Sequence, residues 1–307
     1  MIRFCVGRVL SALFVVGGVV VGVFLLLHLV PGDPVEVMLG EYARPADREA
    51  LRQSLGLDRP LAAQLSSFVR GLLSFDFGYS LHSRRPIVDV LSERLGPTAI
   101  LAGSALLVSV SVAVPLGIVA AMRQDSAVDA GAITFAMVGA AIPNFVLGPG
   151  LVLVFSLWLG WLPVSGFESA ASLVLPSITL GMSLAAVLSR MVRSTLLEAL
   201  GQDFIRTARA KGLSEREVVV RHALGNALLP IVTLTGLQLG ALLAGTVITE
   251  TVFAWPGLGQ LLIEAIERRD YPLVQSAVLI IALTYVVVNT VTDVLYAALD
   301  PRIRLGG

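Results

Sequence analysis

Residues 204–230 read FIRTARAKGLSEREVVVRHALGNALLP, a stretch with five basic and two acidic residues set between two long apolar segments. Gly212 suits the position just past a helix, because glycine enters the left-handed region without a Cβ penalty. Ser214, Glu215, Arg216 and Glu217 make a capping-box pattern. The Ser214 hydroxyl accepts from the amide three residues on, and Glu217 reaches back to the Ser214 amide. The spacing predicts two short helices joined by a turn, one stopping near Lys211 and the other starting at Ser214. Residues 218–220 supply an apolar side to the second helix, and Arg216 and Arg221 a basic one. Two readings follow from the residues alone: an amphipathic hairpin lying on a membrane surface, or a knob fitting a groove on a partner.

What this stretch interrupts is lipid-soluble. The chain has 307 residues, 56% hydrophobic and 14% charged, against about 25% charged in a soluble domain. A bilayer core of about 30 Å takes about 20 apolar residues in helix. Six stretches without Asp, Glu, Lys or Arg are long enough: 9–30, 98–122, 130–162, 169–189, 223–249 and 271–292. The third is too long for one straight span, and Pro143 and Pro149 are expected to kink it or lay its end along the interface. The first is too long for the apolar region of a signal peptide and reads as a retained helix.

Six spans put both termini on one side, with Arg3, Arg8, Arg123, the basic 190–221 region, Arg302 and Arg304. The positive-inside rule assigns that side to the cytoplasm. Residues 31–97 then fall outside. The LGLD at 55–58 fits a helix ending on Gly56. Residues 60–73 are apolar at helical spacing, and Phe75, Phe77 and Tyr79 offer an aromatic cluster. The expected organisation is a first helix (1–30), an outer helical segment (31–94), a core of five helices (95–299) with the polar loop at 195–226, and a tail (300–307).

Much chemistry is excluded. Lys211 is the single lysine, and no Gly-Lys-Ser/Thr occurs, so the phosphate-cradling loop of an ATPase is absent. Cys5 alone excludes an internal disulfide and any multi-cysteine metal site. His28, His82 and His222 are scattered, and Ser104 has no histidine at its depth, so neither a metal centre nor an intramembrane protease is supported. Glu250 and Asp293 close the fifth and sixth spans as interfacial residues reaching water or a neighbouring helix. No carboxylate lies at the midplane for an ion-coupled carrier. Arg190 and Arg193 extend the fourth span and are expected to snorkel. Asn144, Thr179, Gln238, Thr246, Gln275 and Asn289 either line a wet path or bond between helices, and Gly236 and Gly240 permit close helix approach.

The 206–230 segment resembles the coupling loop of ABC importer permeases, more narrowly the dipeptide/oligopeptide/nickel family (DppB/OppB type). The likeness extends through GDP (32–34), LGLDRPL (55–61), FDFGYS (75–80), WLPVSG (161–166), ETVFAWPGLG (250–259), RDYPLVQ (269–275) and LDPRIR (299–304). Together, in order, these span nearly the whole chain. Two places depart from the general loop pattern: Arg206-Thr207-Ala208 stands where Glu-Ala-Ala is usual, and Gly225 where a proline is usual.

The resemblance implies an all-α polytopic membrane protein with six spans, the type I importer permease fold, in a bacterial plasma membrane with both termini cytoplasmic. It implies a homologous second permease, two ATPase subunits and an extracytoplasmic substrate-binding protein. ATP and magnesium would sit on the ATPases, with no cofactor on this chain. Arg206, Thr207, Ala208, Arg209, Lys211, Gly212, Leu213, Ser214, Glu215 and Arg216 would couple to an ATPase groove. The four basic side chains would face acids, Leu213 and Ala208 would pack, and Gly212 would set the turn. Asn144, Gln238, Thr246, Glu250, Phe253, Trp255 and Asn289 are the expected path or outer-gate residues. Phe75, Phe77 and Tyr79 are expected to border the binding-protein dock. Cargo would be a di- or oligopeptide, with nickel chelates, glutathione and haem as alternatives.

Overall fold

The computed structural model describes residues 2–29, 34–39, 44–54 and 56–299. The GDP at 32–34, Leu55 and the tail with Arg302 and Arg304 lie wholly or partly outside them. The helices run α1 (Ile2–Leu29), α2 (Pro34–Leu39), α3 (Pro45–Ser54), α4 (Leu61–Leu73), α5 (Ile87–Met122), α6 (Ala127–Ala141) and α7 (Asn144–Leu151), the last prolonged by a π turn, Val152–Trp158. A 3₁₀ turn, Ala170–Leu173, leads into α8 (Val174–Leu200). Then come α9 (Asp203–Ala210), α10 (Glu215–Glu217), a π turn (Val218–Ala223), α11 (Leu224–Gly245), α12 (Val247–Val252), α13 (Leu258–Glu267) and α14 (Tyr271–Leu299).

Among the described residues five helices are long and apolar enough to cross a membrane, and a bent pair makes a sixth if it is counted as one span. The break replaces the kinked third span expected from sequence. The α6 and α7 segments meet at 102°. Pro143 lacks an amide and disfavours helix at Ile142, so α6 stops there with Ile142 extended. Its 15 residues cover about 22 Å, short of a bilayer core. Pro149, by contrast, lies within α7 without ending it. The Asn144 side chain accepts from Ser183 on α8 and fixes the far side of the break.

Two other boundaries and one expected cluster differ from the sequence reading. Helix α5 has 36 residues and begins at Ile87, so the division at 94/95 falls inside a helix. The fifth crossing extends from Glu215 to Leu243, so the second short helix is the continuous first turn of a span. The expected aromatic cluster disperses: Phe75 and Tyr79 are exposed, while Phe77 packs against two core clusters. Gly56 does end α3 with a positive φ.

The core is built where α5 lies along α8, flanked by α6 and α11. Buried alanines at 102, 105, 113, 185 and 186 let these backbones approach. Helix α1 packs on α14, and its Arg8 pairs with Asp293 at 3.3 Å. That pair brings the first turns of α1 beside the last turns of α14, at the pole carrying α9; residues 56–86 and α12–α13 lie at the opposite pole.

Candidate functional site

Helix α9 owes its placement to one apolar face. Ile205 and Ala208 are buried against Ala121 at the end of α5, Leu196 and Ala199 on α8, and Val218, Val219 and Ala223. Leu213 packs against the same cluster. Ala208 and Leu213, expected to pack into a partner, are thus spent inside this chain. The face turned away carries Arg206, Thr207, Arg209, Lys211, Gly212, Ser214, Glu215 and Arg216.

The turn between the helices is closed three times over. Gly212, at φ +79°, donates to the Arg209 carbonyl at 2.9 Å, and the Leu213 amide donates to the Ala208 carbonyl at 3.4 Å. This pair of hydrogen bonds across a left-handed residue is a Schellman motif. The capping box is present: the Glu217 amide donates to Ser214 Oγ at 3.3 Å, and the Ser214 amide to Glu217 Oε2 at 3.1 Å. Arg209 then forks onto Glu215, at 2.7 and 3.2 Å, and joins α9 to α10. That pair raises the guanidinium pKa above its ordinary value.

Pairing sorts the basic residues. Arg206 is held by Asp203 at 3.3 Å and Arg209 by Glu215. Among the described residues, Lys211, Arg216 and Arg221 make no ion pair. The π turn that follows gives Val218 and Val219 to the core and turns Val220 outward, 57% exposed. Phe204, in the first turn of α9, is 40% exposed. Sequence periodicity assigns Val220 to the packed side and gives Phe204 no role. The extra residue of a π turn has no signature in the apolar pattern, so Val220 is not separable there from its neighbours.

Near this pole Arg193 is not snorkelling. Its guanidinium grips the buried Asp129 carboxylate with two bonds, which also accepts from the Asp125 amide at 3.0 Å. Asp129 sits in the first turn of α6, so the pair clamps α6 to α8.

The opposite pole holds two further buried carboxylates. Glu250 is fully buried and does not reach water. Its Oε1 accepts from Thr98 at 2.9 Å and Thr246 at 2.8 Å; Oε2 accepts from the amides of Gly259 at 2.7 Å and Gln260 at 3.0 Å. The Trp255 indole donates to the Pro97 carbonyl at 2.9 Å, and its ring stands edge-on to Phe167 at 4.8 Å. The Phe253 carbonyl accepts from Gly166. A Cβ at Gly257 would lie 2.2 Å from Glu250 Oε1, so only glycine lets the loop close over the acid. Asp270, also buried, caps α14 and accepts from the Ser80 hydroxyl and the His82 amide.

Within this chain the expected path residues do not converge on one opening. Thr246, Glu250, Phe253 and Trp255 are interior to the 246–260 loop. Gln238 donates to the Leu184 carbonyl on α8 and leaves its own buried oxygen unpartnered. Asn289 lies against Gly240 across the α11–α14 seam, its oxygen likewise buried and unpartnered. Gln275 donates to the Val23 carbonyl and ties α14 to α1.

Residues 113–305 match the family described as binding-protein-dependent transport system inner membrane component, and residues 1–102 match the N-terminal family of the same systems. The chain belongs to this family. It is an ABC importer permease of the dipeptide/oligopeptide type, an inner-membrane transport component and not an enzyme. It is 42% identical over 304 residues, 99% of each chain, to the glutathione transport system permease protein GsiC of Shigella flexneri serotype 5b (strain 8401) and to that of Escherichia coli (strain K12). In fold it is similar to a chain of the MetNI methionine ABC transporter in an inward-facing form. That likeness has a TM-score of 0.58 at 18% identity, and covers 69% of this chain and 96% of the other. The permease fold is therefore the type I importer fold. As a permease of an ABC importer, the chain works with a partner permease, ATPases and a binding protein.

Proposed function

We propose that this permease carries short peptides, with glutathione, a tripeptide, as the first cargo to test. The observation that carries the reading is 42% identity across 99% of the glutathione permeases named above. Sidedness follows from charge: the α9 pole is cytoplasmic because the arginines of the short loops gather there, and residues 34–86 face the binding protein.

The α9–α10 element is the part that receives motion. ATP and magnesium act on the partner ATPases. When the ATPase dimer closes, a groove on it carries α9 with it. The Schellman turn, the capping box and the Arg209–Glu215 fork hold the element rigid, so displacement passes to α8 and α11, between which it is wedged. Lys211, Arg216 and Arg221 meet groove acids, and Phe204 and Val220 supply the apolar contact. The Arg206-Thr207-Ala208 departure is accommodated because Arg206 is held by Asp203 within the chain.

The test is uptake into proteoliposomes holding the permease, its partner permease, ATPases and binding protein. Glutathione or a dipeptide is expected to accumulate only with ATP. Preferential uptake of a nickel chelate or haem would overturn the cargo class, and ATP-independent uptake would overturn the coupling. Gly212→Asp removes the residue best suited to the left-handed turn, and is expected to abolish transport-coupled ATP hydrolysis; wild-type coupling in that variant would remove α9–α10 from the mechanism.

A further inference from the structure

A cavity of about 450 Å³ lies on the opposite pole, away from the coupling element and from the 246–260 loop. It sits at the seam between the two family regions: residues 1–102 supply α1, α4 and the 56–78 loops, and residues 113–305 supply the start of α14. Its size is in the range of small-ligand sites, about 300–1,000 Å³.

The lining is of two kinds. Phe24, Phe68 and Phe77 form an apolar wall, with the Phe24 and Phe68 rings 6.0 Å apart. Arg59 and Asp76 supply opposite charges. Among the described residues these two make no ion pair with each other or with any other side chain. Asp76 Oδ1 accepts from the Gly78 amide at 3.0 Å, which orients the carboxylate and leaves its second oxygen free. The Arg59 carbonyl is held by the Gln64 side-chain amide at 2.8 Å, which fixes the loop but not the guanidinium. A guanidinium and a carboxylate that line one cavity without pairing are placed for a ligand bearing both complements.

Depth points the same way. Phe24 lies near the end of α1, and Gln275 lies in the second turn of α14. Two apolar spans, Val6–Leu25 and Tyr271–Val294, therefore meet at the cavity near their ends. We propose that this cavity binds a zwitterion, its anionic oxygens on Arg59, its ammonium on Asp76 and its carbon chain along the phenylalanine wall. Such a ligand is either a phosphatidylethanolamine headgroup or a free short peptide.

Native mass spectrometry of the full-length permease, titrated separately with phosphatidylethanolamine, phosphatidylglycerol and glycyl-leucine, tests this. Phosphatidylethanolamine bound at least about tenfold tighter than phosphatidylglycerol, and weakened about tenfold by Arg59→Gln and by Asp76→Asn, supports a lipid source, one charge-assisted bond being lost each time. Glycyl-leucine binding with the same dependence on both residues supports a peptide source. Arg59→Lys, which keeps the charge, is expected to retain binding. Equal affinity for the two lipids without charge-dependent glycyl-leucine binding, indifference to both neutral variants, or no binding of any of the three overturns the proposal. Both side chains are exposed, and Asp76→Asn keeps a carbonyl oxygen to accept from the Gly78 amide, so the variants fold. Failure here leaves the ATP-driven transport reading untouched, because that reading is scored by uptake.

Discussion

The coupling element at one pole and the two buried acids at the other use charge in opposite ways. On α9 and α10 the arginines and Lys211 stand in solvent on a turn closed by the Schellman bonds and capping box. At the other pole Glu250 and Asp270 are buried, and their hydrogen bonds are spent within the chain. The coupling element is rigid yet leaves Lys211 and Arg216 without an ion pair among the described residues; the two buried acids are matched within the chain. A charge placed to meet a partner stays hydrated until the partner arrives, whereas a buried acid must bring its donors with it.

The contrast is most sharply broken at Glu250. Glu250→Ala leaves the Gly259 and Gln260 amides and the Thr98 and Thr246 hydroxyls without their acceptor. With partial rehydration of the loop the expected cost is about 3–4 kcal/mol. Thermal unfolding of the purified permease should show a lowered midpoint and early proteolysis within residues 246–260. An unchanged midpoint would mean that the acid belongs to the transport path, as the family resemblance implies, and not to the loop's own structure.

A smaller loss of stability is expected at the α6–α8 clamp. Arg193→Ala leaves the Asp129 carboxylate buried with only the Asp125 amide, an uncompensated charge. Asp129→Asn with Arg193→Gln replaces both charges by neutral polar groups, and should recover much of the midpoint lost in the single variant. If the double variant is no better than the single, the pair contributes little and α6 is held by apolar packing alone.

These sites are unequally legible in the sequence. The crossings are legible, because a bilayer demands unbroken apolar runs whatever their partners. So are the turn at Gly212 and the box at Ser214, because both are local: the residues that close them lie within six positions. Arg193 misleads, and Glu250 is left open between water and a neighbouring helix, for the opposite reason. Each is settled by a residue far along the chain, Asp129 in one case and Thr98 in the other, and an apolar pattern carries no record of such pairings. The break at Pro143 lies between: the residue is visible, but a proline inside a helix also occurs at Pro115 without ending α5. What separates them is the extended Ile142 and the Asn144–Ser183 bond, the latter again a tertiary fact. The outward turn of Val220 needs the π turn, which no residue pattern announces.

The least disruptive variants test the α9 pole. Lys211→Ala and Arg216→Ala remove exposed cations without ion partners among the described residues, so each should change stability by no more than about 0.5 kcal/mol. Their effect should appear only with the ATPases present. Assembly should weaken more at low salt than at high, because an exposed charge contact is screened over a Debye length of about 10 Å at 0.1 M. Arg206→Ala is the internal comparison: its guanidinium is already turned to Asp203, so it should cost less assembly than Arg216→Ala. Equal losses at Arg206 and Arg216, measured by co-purification of the ATPases across a salt series, would mean that the Asp203 pair opens when the partner docks, and that the surface offered is remade on contact.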